Sequence, residues 1–175
     1  MSSGTGMSSN NIASAFIAEL QQEAATARKC IERVPAEKFD WKPHEKSMTF
    51  GRLAGHIAEM FGWTPSTLEH PELDFSKFDY TPVDHKTTED LVEFLDNNVA
   101  EAIESLKNTP DEKFMDDWTM RNGEQVYFTM PKIAVMRGFV MNHIVHHRGQ
   151  LTVYLRLNDI PVPSIYGPSA DEGQM

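Results

Sequence analysis

The chain has 175 residues, of which 40% are hydrophobic, and this length suits one domain with a substantial core. Its formal net charge of -10, without a cluster of Lys and Arg, argues against a nucleic-acid partner, because such partners are bound mainly through their phosphates. No apolar run approaches the roughly 20 residues of a membrane-spanning helix, so a membrane partner is not expected either.

Residues 1–10 lack the basic and apolar parts of a signal peptide and are predicted to form a flexible leader. Residues 11–175 are predicted to form a single domain. The chain contains one cysteine, Cys30, which excludes a disulfide within the chain. A cytoplasmic location is therefore the expectation.

Two helices are predicted in the first part of the domain. Apolar residues at helical spacing indicate a first helix from about Asn11 to Arg33. Either Ser47 or Thr49 can cap a second helix, since both hydroxyl side chains precede an apolar helical pattern. Thr64-Pro65 resembles a cap followed by the first helical position, and it predicts a short further helix.

The second half of the domain begins with a predicted long loop at residues 70–86, which contains two prolines. Residues 87–90 open a third helix with acidic side chains that suit its N-terminal dipole. Strand-like residues on both sides of 121–124 predict a β-hairpin. Pro131 fits the first turn of a fourth and longest helix, which is predicted to end near Leu157. Four main helices with a small β-hairpin before the last are therefore expected.

Histidines on two predicted helices form a candidate metal site. His143 and His147 are four residues apart, so their imidazoles project from one helix face. His56 lies beside Gly51 and Gly55, which allow another helix to approach closely. Such a site would leave metal positions open for water or substrate. The alternative is a set of inert core histidines, but burying imidazoles without partners costs about 1–3 kcal/mol each.

The sequence around these histidines resembles a known family. Residues 143–156 match His-x-x-x-His-Arg-Gly-Gln-Leu-x-x-Tyr-Leu-Arg, and with the earlier histidine they resemble the DinB/YfiT-like metalloprotein family. Residues 162–172 are similar to DinB-like proteins as well. The resemblance implies an all-α four-helix bundle, frequent homodimers and a divalent metal held by three histidines, which here are His56, His143 and His147.

The resemblance also bears on the reaction. Zinc or nickel is the expected metal, with iron or manganese as alternatives, because all-imidazole sites suit several first-row metals. Members of the family include thiol-dependent transferases, so the leading expectation is a metal-dependent enzyme that uses a low-molecular-weight thiol and a small-molecule substrate. A metal-dependent hydrolase is the alternative. Two alternatives are not enzymes: a non-catalytic metal-stabilised stress-response or binding protein, and an inert bundle with a vestigial site.

Other side chains near the histidines have functional and structural interpretations. Glu59 follows His56 by three residues and would either orient that ligand or act as a catalytic base, unless it is an exposed helix residue. Tyr154, the second catalytic candidate, either lines the pocket or packs in the core. Arg148 is expected to form a structural ion pair. His146 points away from the pair and is expected near the site, at the surface or in a dimer interface.

The remaining aromatic and histidine residues are assigned more simply. Trp63 lies seven residues after His56 on the same projected helix face and would either wall the cavity or pack in the core. Three histidines in predicted loops are expected to face solvent: His44, His70 and His85.

Overall fold

The computed structural model describes residues 11–173, so the predicted leader at residues 1–10 lies outside the described residues. The helices are α1 (Asn11–Ile31), α2 (Phe50–Phe61), α3 (Trp63–Glu69), α4 (Thr88–Lys107), α5 (Lys132–Val135) and α6 (Asn142–Leu157), with a π-helical segment at Met136–Met141. The strands are β1 (Glu72–Asp74), β2 (Asp117–Asn122) and β3 (Gln125–Pro131). Between residues 11 and 173, no helix combines the length and apolar composition that a bilayer span requires.

Hydroxyl side chains define the starts of two long helices. The Thr49 side chain accepts a hydrogen bond from the first turn of α2. At α4, Thr87 and Asp90 form a reciprocal capping box, which satisfies two backbone N–H groups. The predicted cap at Thr64 is wrong, because α3 begins at Trp63, two residues before the predicted first position at Pro65, and Thr64 is buried inside its first turn.

The four long helices pack around one hydrophobic core. Helix α1 packs against α4, and α2 packs against both α4 and α6. Each large apolar side chain buried there contributes about 1.5–3 kcal/mol relative to an exposed one. Its largest members include Leu20, Ile31, Phe50, Phe61 and Phe114. This packing holds α2 and α6 side by side, so their polar side chains can meet.

The predicted hairpin is present as β2 and β3, which pair antiparallel. A third strand was missed, because β1 lies in the predicted loop at residues 70–86 and pairs parallel with β2. Three residues are too few for an alternating pattern to be recognised. At the end of β1, the Asp74 carboxylate accepts hydrogen bonds from Gly123 and Ser76, which lower its pKa to about 2. These bonds tie the segment after β1 to the hairpin turn.

One continuous α-helix was predicted from Pro131 to about Leu157, but the structure interrupts it. Pro131 precedes its first turn, and the π-helical segment separates α5 from α6. A π-turn bonds residue i to i+5, so it changes which side chains share a helix face. Val135 and Phe139 therefore pack with Trp118 in a small cluster under the sheet, while Val140 packs in the bundle core.

Cys30 lies in the core on α1, and burial raises the pKa of its thiol to about 11. Because the thiolate is the nucleophile, iodoacetamide at pH 8 should leave Cys30 unmodified in the folded protein and alkylate it in urea, as read by mass spectrometry. The unfolded chain loses this proton near pH 9, so the folded state should lose stability as pH rises from about 9 towards 11. Rapid alkylation of the folded protein at pH 8 would contradict this prediction.

Candidate metal centre

Three histidine side chains meet between α2 and α6. One ring nitrogen from each of His56, His143 and His147 lies within 4.8 Å of the others. The Nε2 atoms of His143 and His147 are 2.9 Å apart. The ring centroids of His56 and His147 are 4.8 Å apart. All three residues of the predicted site are therefore brought together.

The second nitrogen of each ring faces a hydrogen-bond acceptor on its own helix. The Nδ1 partners are Glu59 Oε1 for His56 at 3.2 Å, Gln150 Oε1 for His147 at 2.7 Å, and the Phe139 carbonyl oxygen for His143 at 3.3 Å. Carboxylate and carbonyl oxygens only accept, so a neutral ring that donates to its partner carries its proton on Nδ1 and keeps a lone pair on Nε2. Such outer partners fix the tautomer and orientation of histidine ligands in metal sites.

The convergence of these lone pairs fits a cation. With both ring protons on Nδ1, the two Nε2 lone pairs at 2.9 Å repel each other unless a positive centre lies between them. A proton is disfavoured at neutral pH, because burial and the neighbouring His56 lower the pKa of His143, and burial lowers that of His147 to about 4. Neutral imidazole is the form that binds first-row divalent metals. His56, His143 and His147 are thus the residues that would hold such an ion.

Glu59 lies at the centre of a hydrogen-bond network beside the cluster. The Tyr80 hydroxyl donates to Glu59 Oε1, and Arg52 donates to Glu59 Oε2 at 3.0 Å and to the Tyr80 hydroxyl at 2.9 Å. Burial alone would raise the pKa of the Glu59 carboxyl. Hydrogen bonds from His56 and Tyr80, together with Arg52, outweigh burial and lower it. The exposed alternative for Glu59 is wrong, since its side chain is only 12% exposed.

An aromatic cavity of about 410 Å³ opens beside His56. One wall consists of Trp63 and Phe139, whose rings stack with centroids 4.9 Å apart. Phe78 and Tyr80, from the segment after β1, also line the cavity. The volume lies in the range of small-molecule sites. Trp63 thus walls the cavity, which is one of the two roles expected for it.

The sequence model of the DinB family matches residues 7–174. The chain belongs to the DinB family. YrdA, an uncharacterized protein of Bacillus subtilis, is 26% identical over 161 residues, which cover 90% of this chain and 89% of YrdA.

Two solved structures of DinB-like proteins share the fold. The crystal structure of YjoA from Bacillus subtilis has a TM-score of 0.68 at 17% identity, over 92% of this chain and 99% of YjoA. A DinB-like protein from Bacillus cereus has a TM-score of 0.68 at 20% identity, over 87% of this chain and 97% of that protein. The predicted all-α DinB-like bundle is confirmed.

Two other predicted positions of this DinB-family chain lie outside the histidine cluster. The Tyr154 ring packs on Phe50, with centroids 5.8 Å apart, and its hydroxyl donates to the Met48 carbonyl oxygen at 3.1 Å. Tyr154 therefore packs in the core and is not among the residues that line the cavity. His146 is exposed, with its ring centroid 4.8 Å from that of His147.

The loop histidines divide into two kinds. His44 and His70 are exposed as predicted. The solvent position predicted for His85 is wrong, because its ring packs on Phe94 with centroids 4.9 Å apart and lies against Gly55. Its Nε2 is buried and finds no hydrogen-bond partner within residues 11–173, and burial lowers the pKa of the ring. No feature of the loop sequence marked this packing.

Arg148, beside His147 in the motif, forms the expected structural ion pair. Its guanidinium is 2% exposed and donates to the carboxylate of Glu23 on α1. Tyr166, in the C-terminal segment, contacts both members of the pair. Its hydroxyl donates to Glu23 at 2.8 Å, and its ring lies under the Arg148 guanidinium. The pair fastens α6 to α1 and so fixes the helix that carries two of the histidines.

Proposed function

We propose that this chain is a divalent-metal-dependent enzyme that acts on a small molecule, with His56, His143 and His147 as ligands. Zinc or nickel is the proposed ion, and iron or manganese are the alternatives. The observation that carries the proposal is the convergence of three imidazole nitrogens beside an open cavity. Three protein ligands leave the exchangeable position that catalytic metal sites keep.

The proposed reaction is group transfer with a low-molecular-weight thiol. A divalent ion held by neutral imidazoles keeps its full charge and would favour the thiolate form of a thiol at neutral pH. Glu59 supports this reaction over hydrolysis, because its two oxygens are held by His56, Tyr80 and Arg52. A carboxylate held in this way orients His56 and is poorly placed to take a proton from water.

Cobalt substitution tests the reaction class. Cobalt in the three-histidine site should give a visible spectrum that shifts when a low-molecular-weight thiol such as cysteine is added. A thiol-dependent turnover of an added electrophile should then disappear in His147→Ala. A spectrum unmoved by thiols, combined with hydrolysis of esters or amides, would replace the transferase with a metal-dependent hydrolase.

Removing the Glu59 side chain should weaken the proposed site without removing a ligand. Outer partners of histidine ligands typically contribute 10–100-fold to metal affinity, so Glu59→Ala should lower zinc affinity by about that factor. Zinc affinity can be measured by competition with a chromogenic chelator. The control is Glu93→Ala, which removes an exposed glutamate from α4. Equal affinities of the two variants would show that Glu59 does not support the ligand.

A non-catalytic metal-stabilised binding or stress-response protein is the second candidate. It is favoured by the tight Nδ1 contacts, which also suit a purely structural ion. A cobalt spectrum unresponsive to every added ligand would support it.

We also propose a homodimer in the cytoplasm. Sedimentation of a single 19.9 kDa species at micromolar concentration would contradict the dimer.

A further inference from the structure

We propose that the cavity beside His56 binds an aromatic group of one or two rings, so that the substrate or its carrier is an aryl compound. This inference rests on the proposed function, since it names the substrate class of the same site. Six aromatic side chains surround the cavity: Trp63, Phe75, Phe78, Tyr80, Trp118 and Phe139.

The inner part of the cavity is a fixed aromatic surface. Trp63 and Phe139 stack with an interplanar angle of 19°, and Phe139 also contacts Trp118 with centroids 6.5 Å apart. Trp118 is 1% exposed and belongs to the cluster under the sheet. Aromatic pairs prefer stacked or edge-to-face contacts, which a planar ring satisfies better than a saturated one.

Two polar groups of this surface are already paired inside the protein. The Trp118 indole N–H donates to the Ser66 carbonyl oxygen at 3.2 Å, and the Thr67 hydroxyl donates to the Trp63 carbonyl oxygen at 2.9 Å. A polar ligand group placed against these two side chains would leave water without gaining them as partners, which costs free energy. The inner cavity therefore selects an apolar group.

The polar side of the cavity orients the ligand. His56 and Arg52 line it on the side of α2, next to the Tyr80 hydroxyl. A ligand with one polar atom would bury its ring against Trp63 and direct that atom towards His56. Phe78 is 44% exposed and Tyr80 51% exposed, so a bound ring would cover apolar surface that water now contacts.

The test is calorimetric titration with 2-naphthol and its saturated analogue decahydro-2-naphthol, on zinc-loaded and metal-free protein. We expect 2-naphthol to bind both forms, and to bind at least about five-fold more tightly than the analogue, from the size of one aromatic contact. Phe78→Ala should weaken 2-naphthol binding by about five-fold, whereas Tyr80→Phe should retain it because the ring remains. Leu157→Ala, which removes an exposed apolar side chain elsewhere, should bind like the wild type.

Equal binding of the two alcohols, or no binding of either, would overturn the aromatic assignment. Equal losses in Phe78→Ala and Leu157→Ala would overturn the location. Zinc content tests the proposed function separately. Zinc at the histidines without 2-naphthol binding refutes only this inference, and 2-naphthol binding without any metal site refutes only the proposed function.

Discussion

Replacing His147 with alanine should reduce zinc binding from about one ion per chain to none that survives dialysis. Loss of an outer partner alone typically costs 10–100-fold in affinity, so loss of a ligand from a set of three should exceed about 100-fold. The Nε2 atom of His147 lies 2.9 Å from that of His143, and the neighbouring His146 is exposed and outside the cluster. The measurement is metal analysis of dialysed protein by mass spectrometry.

The matched control for this substitution is His146→Ala. His146 is the next residue on the same helix and is exposed, so its loss should leave the zinc content unchanged. Equal zinc content in the two variants would refute the three-histidine site. Zinc retained in His56→Ala would remove His56 from the site while sparing the pair on α6.

Replacing Arg148 with methionine should lower the free energy of unfolding by about 3–5 kcal/mol, because it leaves the Glu23 carboxylate buried without its cation. The guanidinium and carboxylate side chains are 2% and 8% exposed. Unfolding in urea, followed by circular dichroism, measures the change. The double variant Glu23→Leu with Arg148→Met should recover much of the loss, since no unpaired charge remains.

An exposed ion pair that also involves α1 supplies the control. Arg28 on α1 pairs with Asp96 on α4, and these side chains are 42% and 51% exposed. Asp96→Asn should cost less than about 1 kcal/mol, because water screens exposed pairs. A similar small cost for Arg148→Met would show that the buried pair contributes little to stability.

The helices could be predicted from the sequence because their signals are local. Apolar spacing together with Ser47 or Thr49 indicated the start of α2, and the acidic stretch at residues 87–90 indicated the start of α4. The structure has the two caps at Thr49 and Thr87. The histidine cluster could be predicted for a similar reason, since the spacing of His143 and His147 is a property of one helix. The third member, His56, depended on the family resemblance as well.

The partners of the histidines were only partly predictable. Glu59 follows His56 and Gln150 follows His147 by the same three residues, so this shared spacing was a usable signal for both acceptors. Tyr80 gave no such signal, because it reaches Glu59 from a loop whose path depends on β1. Contacts of this kind arise from tertiary packing and leave no local pattern.

The π-helical segment at residues 136–141 has a consequence for how relatives should be aligned. A π-turn holds one more residue than an α-turn. A relative with a regular α-helix here should therefore be one residue shorter between Lys132 and Asn142. Aligned without a gap, such a relative would place its histidines one position away from His143 and His147. The gap belongs near Gly138, whose surroundings are open enough to tolerate the change in length.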